Sequence, residues 1–183
     1  YRLVTNGSRI YYATGSKYDE KDVYLRIYRI DVSGKNKVYI GKIYYGGGLS
    51  GYYNGNLFIE RCTLYKGDFD PLELNTYIYN LKSKKLSLVK KDFKIDSQKG
   101  KYILGSPRVG AYTPVPVHIY NASTKKIYKI SSTASPDQTK FLNGKIYYED
   151  IKKLFELEPS KRKISIKTCS YTGSNQKTLY TIK

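Results

Sequence analysis

An all-β fold assembled from repeats is predicted by three observations. Apolar residues alternate with a period of two, β-branched and aromatic side chains fill the alternating runs, and two kinds of turn recur in a fixed order along the chain. Amphipathic helical windows are almost missing; only Ile151 to Leu157 is weakly helical, and it is short. The chain has 183 residues with 22 Tyr, 5 Phe and no Trp, and 40% of it is hydrophobic. That is enough apolar material for a core and argues against general disorder.

The strands are read from their patterning. Ser8-Arg9-Ile10-Tyr11-Tyr12 and Lys145-Ile146-Tyr147-Tyr148 alternate as half-buried strands, and so does Val115 to Tyr120 apart from Pro116. Gly, Asn, Asp, Ser and Pro cluster between them. Asn6-Gly7, Asn54-Gly55 and Asn143-Gly144 each precede a run rich in aromatics, and Lys99-Gly100 before Tyr102-Ile103-Leu104 is a weaker copy. Asn-Gly predicts a type I′ hairpin turn, because that turn needs φ > 0 at both central residues.

A second hairpin recurs downstream of each. Ile78-Tyr79-Asn80-Leu81-Lys82-Ser83-Lys84-Lys85-Leu86 aligns with Ile119-Tyr120-Asn121-Ala122-Ser123-Thr124-Lys125-Lys126-Ile127. Looser copies lie at Ile27–Val38 and Thr168–Lys177. The unit therefore reads strand A, turn, strand B, long loop, strand C, polar turn, strand D. Four such units predict a β-propeller of four four-stranded antiparallel blades, at about 1–45, 46–92, 93–134 and 135–183 of a single domain spanning 1–183. A small closed ring is favoured over an arc of a larger propeller, since an arc leaves faces uncovered. A β-sandwich with coincidental turns is the competing reading. Gly46-Gly47-Gly48 is expected to bend the chain between the first two units, and no Gly-Lys-Ser/Thr follows it to make a phosphate loop.

At these residues the chain resembles bacterial β-propeller repeats of the low-density-lipoprotein-receptor-like and TolB-like type. Asn143-Gly144-Lys145-Ile146-Tyr147-Tyr148 with Tyr171–Lys177, and Arg26–Asn36, carry the resemblance; Lys84 and Thr124 depart from it where Gly is usual. The resemblance implies a secreted or cell-surface binding module of a Gram-positive bacterium and brings no catalytic residues.

Charge is distributed unevenly. The chain has 33 Lys+Arg against 15 Asp+Glu, a net +18. The expected B–C loops, 15–22, 62–75, 106–116 and 149–163, hold ten of the acids, among them Asp150, and net −1. The C–D hairpins hold Lys35, Lys37, Lys82, Lys84, Lys85, Lys125, Lys126 and Lys177. A two-faced disk follows, with a basic hairpin face that concentrates anions and a variable-loop face. Wall polyanions, acidic headgroups, nucleic acid or a protein are the candidate partners; solubilising lysines at strand edges are the plainer explanation. On the loop face, Tyr18, Tyr65, Arg108, Tyr112 and Phe155 are the candidate binding residues, because variable loops on a repeated scaffold carry recognition.

Enzymatic chemistry is weakly represented. His118 is the only histidine, and no Gly-x-Ser-x-Gly elbow accompanies it. Cys62 and Cys169 fall in different units, so two free thiols are expected. Gly67-Asp68-Phe69-Asp70 lacks the spacing of a calcium loop. No metal or other cofactor is expected, and no 18-residue apolar stretch predicts a membrane span. The Tyr-Tyr pairs 11–12, 44–45, 52–53 and 147–148 are read as packing sheet on sheet, with stacking on bases as the alternative. A nucleic-acid-binding protein and a glycoside-hydrolase-like enzyme, working through a carboxylate pair in the B–C loops, are the two alternatives to a non-enzymatic module.

Overall fold

The computed structural model describes residues 3–15, 24–44, 47–63, 73–107, 114–152 and 163–182. Within them every regular element is a strand. The first sheet is β1 (Val4–Thr5), β2 (Arg9–Gly15), β3 (Tyr24–Asp31) and β4 (Val38–Tyr44), in chain order and antiparallel. The second is β5 (Gly47–Tyr53), β6 (Asn56–Thr63), β7 (Glu73–Asn80) and β8 (Leu86–Lys90), again in order. The third set is β9 (Lys94–Lys99), β10 (Tyr102–Ser106), β11 (Val115–Asn121) and β12 (Lys126–Ala134), and the fourth is β13 (Lys140–Leu142), β14 (Lys145–Lys152), β15 (Lys163–Cys169) and β16 (Lys177–Ile182). The third and fourth sets meet at one register pair, Ala134↔Asp150.

Several local expectations are corrected. Pro116 lies inside β11, where a register shift between Val115 and Val117 accommodates a residue that cannot donate to the ladder. Gly47 and Gly48 open β5, paired to Arg61 and Glu60, so they extend the sheet instead of bending between units. Ile151 and Lys152 finish β14 and are not helical. The acids Glu73, Glu149 and Asp150, read as loop residues, are in strands.

The turns explain the pairing. Asn54-Gly55 (φ 43 and 75) and Asn143-Gly144 (φ 47 and 75) adopt the type I′ geometry. Asn6-Gly7 does not: only Gly7 is left-handed, the Asn6 side-chain oxygen accepts from the Ser8 and Arg9 amides, and four residues separate the paired Thr5 and Ile10 instead of two. The first tyrosine of the pair is buried in β2 (Tyr11) and the second in β14 (Tyr148), because opposite faces of these two sets are packed.

All four C–D hairpins share a second feature. A β-bulge follows Ile27, Thr76, Val117 and Ile166, each four residues before the residue that opens its turn (Asp31, Asn80, Asn121, Ser170). These positions are therefore structurally equivalent. The sheet face carrying them is termed the forward face below, and the opposite one the rear face.

Two compact units result, Tyr1–Lys94 and Ile95–Lys183, each with two four-stranded sets. In the first, Leu25 and Ile27 on the forward face of sheet one pack against Leu57, Ile59 and Tyr79 on the rear face of sheet two. In the second, Val117 and Ile119 on the forward face of set three pack with Ile146, Tyr148 and Cys169 on the rear face of set four. Burying these side chains contributes roughly 1.5–3 kcal/mol each, so the sheets cohere through one repeated forward-to-rear contact.

Candidate functional site

Two features have the chemistry of a site: the basic turn end of each sheet, and a polar cleft in the second unit. At the turn end the A–B and C–D turns come together. Backbone bonds join them in three sheets: Val32 N–H donates to the Ser8 carbonyl, Leu81 to Gly55 and Ala122 to Lys101. Lys35, Lys37, Lys82, Lys84, Lys85, Lys125, Lys126 and Lys177 are all exposed there. Arg9, Lys99, Lys101 and Lys145 flank the same turns, and Asp31, which pairs Arg9 at 4.0 Å and accepts from Asn36 at 2.7 Å, is the only acid among the described residues that borders them. Two of these lysines hold unusual backbone: Lys84 (φ 58) and Lys125 (φ 57) are left-handed, where the first and fourth hairpins place Asn36 and Asn175.

The cleft has a volume of about 600 Å³ and opens between β12 and the β14–β15 pair, which diverge from their single pairing at Ala134 and Asp150. Lys129, Ser131, Ser132 and Thr133 form one wall; Tyr148, Asp150, Lys152 and Lys167 form the other; Gln176 closes one end by donating to the Ile130 carbonyl at 3.0 Å. Asp150 is 4% exposed. Its carboxylate accepts from Thr133 Oγ1 at 2.5 Å, from Ser131 Oγ at 3.1 Å and from Lys167 Nζ. Burial by itself raises the pKa of this carboxyl, but the bonds from Lys167, Thr133 and Ser131 outweigh it and hold the group below the usual carboxylate range. The acid is thus ionised and committed to tying β12 to β14, and is not a proton donor at neutral pH. Burial pushes the Tyr148 hydroxyl up to about 12 and the Cys169 thiol up to about 11, so both are neutral. The exposed ammonium groups of Lys129 and Lys152, with the hydroxyls of β12, suit an anion bearing hydrogen-bond acceptors.

The residues expected on the loop face, Tyr18, Tyr65, Arg108, Tyr112 and Phe155, lie outside the described residues, as does Gly67–Asp70. His118 is half-buried on β11, in register with Gly105 and Lys129. The tyrosines mostly pack: Tyr11 stacks on Tyr52 across sheets one and two at 5.4 Å, and Tyr12 on Tyr28 within sheet one at 5.5 Å. Cys169 is a free, buried thiol. Among the described residues no three His, Cys, Asp or Glu side chains gather as a metal site requires, and no helix is long and apolar enough to cross a membrane. Sequence reasoning missed the cleft. Its one legible sign was a charge, Asp150, in phase with the buried Ile146 and Tyr148.

No family model matches the chain, and no curated protein matches it in sequence. Solved structures do resemble it. The β-propeller domain of the Trilobed protease from Pyrococcus furiosus matches with a TM-score of 0.58 and 8% identity, over 98% of this chain and 56% of that one. An oligogalacturonate lyase in complex with manganese matches with a TM-score of 0.53 and 8% identity, over 90% and 51%. A putative TolB from Agrobacterium tumefaciens gives a TM-score of 0.48 and 12% identity, over 97% and 62%. Repeated four-stranded antiparallel sheets and the likeness to the Trilobed protease domain define the class: the chain has a β-propeller fold. It spans about half the length of the first two solved chains, and at these identities the likeness extends to the fold and no further.

Proposed function

We propose that this chain is a non-enzymatic binding module, one propeller domain over 1–183, that uses its basic hairpin ends to hold an anionic polymer or an acidic protein at or outside the cell surface. The variable loops form its second recognition surface. The resemblance of Arg26–Asn36 and Asn143–Tyr148 to low-density-lipoprotein-receptor-like and TolB-like repeats supports the choice of compartment and of a Gram-positive source. One observation carries the reading: the turn-end lysines are exposed, and among the described residues a single acid, Asp31, borders them. The left-handed lysines strengthen it, because Gly or Asn would relieve that backbone, and strain is retained where a side chain is used.

The test is retention on heparin and on anionic wall polymer across a salt gradient. The protein is expected to bind at low salt. A variant with Lys84, Lys85, Lys125 and Lys126 changed to Ala elutes at clearly lower salt than one lacking Lys42, Lys91, Lys140 and Lys163, which are exposed away from the turns and the cleft. Equal losses would reduce the effect to net charge, and no retention at low salt would end the proposal. A nucleic-acid reading rests on Lys37, whose ammonium lies 4.6 Å from the Tyr28 ring centre and 5.8 Å from that of Tyr12. Gel shifts with single-stranded DNA and RNA at physiological salt separate the two readings.

A further inference from the structure

Backbone closes the cleft of the second unit at both ends. At one end Ala134 pairs with Asp150, and the Ser135 N–H donates to the Glu149 carbonyl at 3.0 Å. At the other, the β15–β16 turn is seated on β12: a Cβ at Gly173 (φ 75) would stand 2.8 Å from the Lys129 carbonyl oxygen, and Gln176 donates to the Ile130 carbonyl. Between these ends β12 is irregular. Its ladder with β11 shifts register twice, between Val115 and Val117 and again between Val117 and His118. The corresponding β3–β4, β7–β8 and β15–β16 ladders each shift once. Each shift places an extra residue on β12, so Ser131, Ser132 and Thr133 all line the cleft, which strict alternation along a strand forbids.

We propose that this cleft binds a phosphorylated sugar or polyol, a phosphomonoester that carries several hydroxyl groups. Charge sets the first requirement. Among the described residues, Lys129, Lys152 and Lys167 line the cleft against one acid, Asp150, which leaves two cations in excess and suits a dianion. Lysine meets a phosphoryl group as a point charge, and no arginine is among those lining residues to offer a carboxylate its planar fork. Hydrogen bonding sets the second. Ser131 and Thr133 spend their hydroxyl protons on Asp150, so towards a ligand their oxygens can only accept. The ligand must therefore bring donors of its own, as sugar hydroxyls do. Size sets the third: about 600 Å³ falls within the range of small-molecule sites and is more than a bare phosphate fills. The cleft is separate from the turn-end lysines, so this proposal does not depend on polymer binding.

Titration calorimetry on the whole chain tests it, in about 150 mM sodium chloride so that exposed lysines are largely screened. The probes are glucose 6-phosphate, glycerol 3-phosphate, inorganic phosphate, glucuronate and glucose. At least one of the two esters is expected to bind one-to-one and about tenfold tighter than inorganic phosphate or glucuronate, with no heat from glucose. Its affinity rises between about pH 5.5 and about pH 7.5, as the ester loses a second proton of pKa about 6. Lys129→Gln and Lys152→Gln each weaken binding by about fivefold to tenfold and leave the unfolding midpoint unchanged, since both side chains are exposed. The variant with Lys84, Lys85, Lys125 and Lys126 changed to Ala binds the ester as the parent does. The proposal is overturned if neither ester binds saturably by about 5 mM, or if inorganic phosphate or glucuronate binds as tightly. Indifference to both Gln variants overturns it too, as does loss of binding in the turn variant.

Discussion

Asp150 stands at a position that the alternation Ile146, Tyr148, Asp150 assigns to a buried face. A carboxylate there is tolerable only if its charge is met, and Lys167, Thr133 and Ser131 meet it. Its pKa in the folded protein lies below the ordinary carboxylate value of 3.8, so the fold favours the ionised form. The stability contributed is complete above the unfolded value and disappears as pH falls through the folded one. Asp150→Asn is therefore expected to lose about 3 kcal/mol at pH 7, because Lys167 is left partly buried without its partner charge. The gap between parent and variant should narrow as pH is lowered below 3.8. Urea unfolding at pH 7 and in acid measures it, and a gap that does not change with pH would mean that the loss comes from packing instead. Apart from the place of Asp150 in that alternation, the sequence did not announce the cluster, since Asp150 meets partners 17 to 19 residues away on either side through the β12–β14 and β14–β15 pairings.

The hairpin shows what short motifs can and cannot convey. Asn54-Gly55 and Asn143-Gly144 were legible because the turn needs two left-handed residues and these residue types supply them. The same dipeptide at Asn6-Gly7 gave another turn, because the backbone amides of Ser8 and Arg9 donate to the Asn6 side chain and compete with the hairpin geometry. The bulge after Ile27, Thr76, Val117 and Ile166 has no residue signature at all; it is visible only as a register shift. The same hairpins yield a prediction. A left-handed backbone costs an L residue roughly 1–2 kcal/mol relative to Gly, and part of that is returned as the greater unfolded entropy of Gly. Lys84→Gly and Lys125→Gly should each stabilise the protein by about 0.5–1 kcal/mol, while Lys84→Ala should not, although all three remove one charge. Thermal unfolding of the three variants decides between backbone strain and charge. If the turn lysines hold a polymer, the same Gly variants weaken retention as they raise stability, the exchange expected of a residue kept for function.

At the scale of the molecule, the repeated architecture was legible because two turn types recurred in one order, whereas the sheet-to-sheet contacts were not. Those contacts pair residues such as Tyr11 and Tyr52, or Gly41 and Tyr79, whose spacing carries no local signal. The loop-face candidates rested on loop position alone, whereas the lysine candidates rested on the hairpin pattern that also places them in exposed turns. Composition did fix one global property. With 33 basic and 15 acidic residues, eighteen cations have no acid to match them one for one. Two effects of salt then oppose each other. Screening weakens surface ion pairs such as Arg9–Asp31, each worth about 0–1 kcal/mol, and a buried pair such as Lys167–Asp150 is screened much less. Screening also relieves repulsion among the excess cations, which disfavours the compact state. The excess is larger than the whole supply of acids, so the second effect should win. The midpoint of thermal unfolding, measured on dilute protein, is expected to rise by several degrees as sodium chloride goes from about 20 to about 300 mM, beyond which the Debye length is only a few ångströms and little repulsion remains to be screened. A fall over the same range would show that ion pairing contributes more to this fold than cation repulsion takes away.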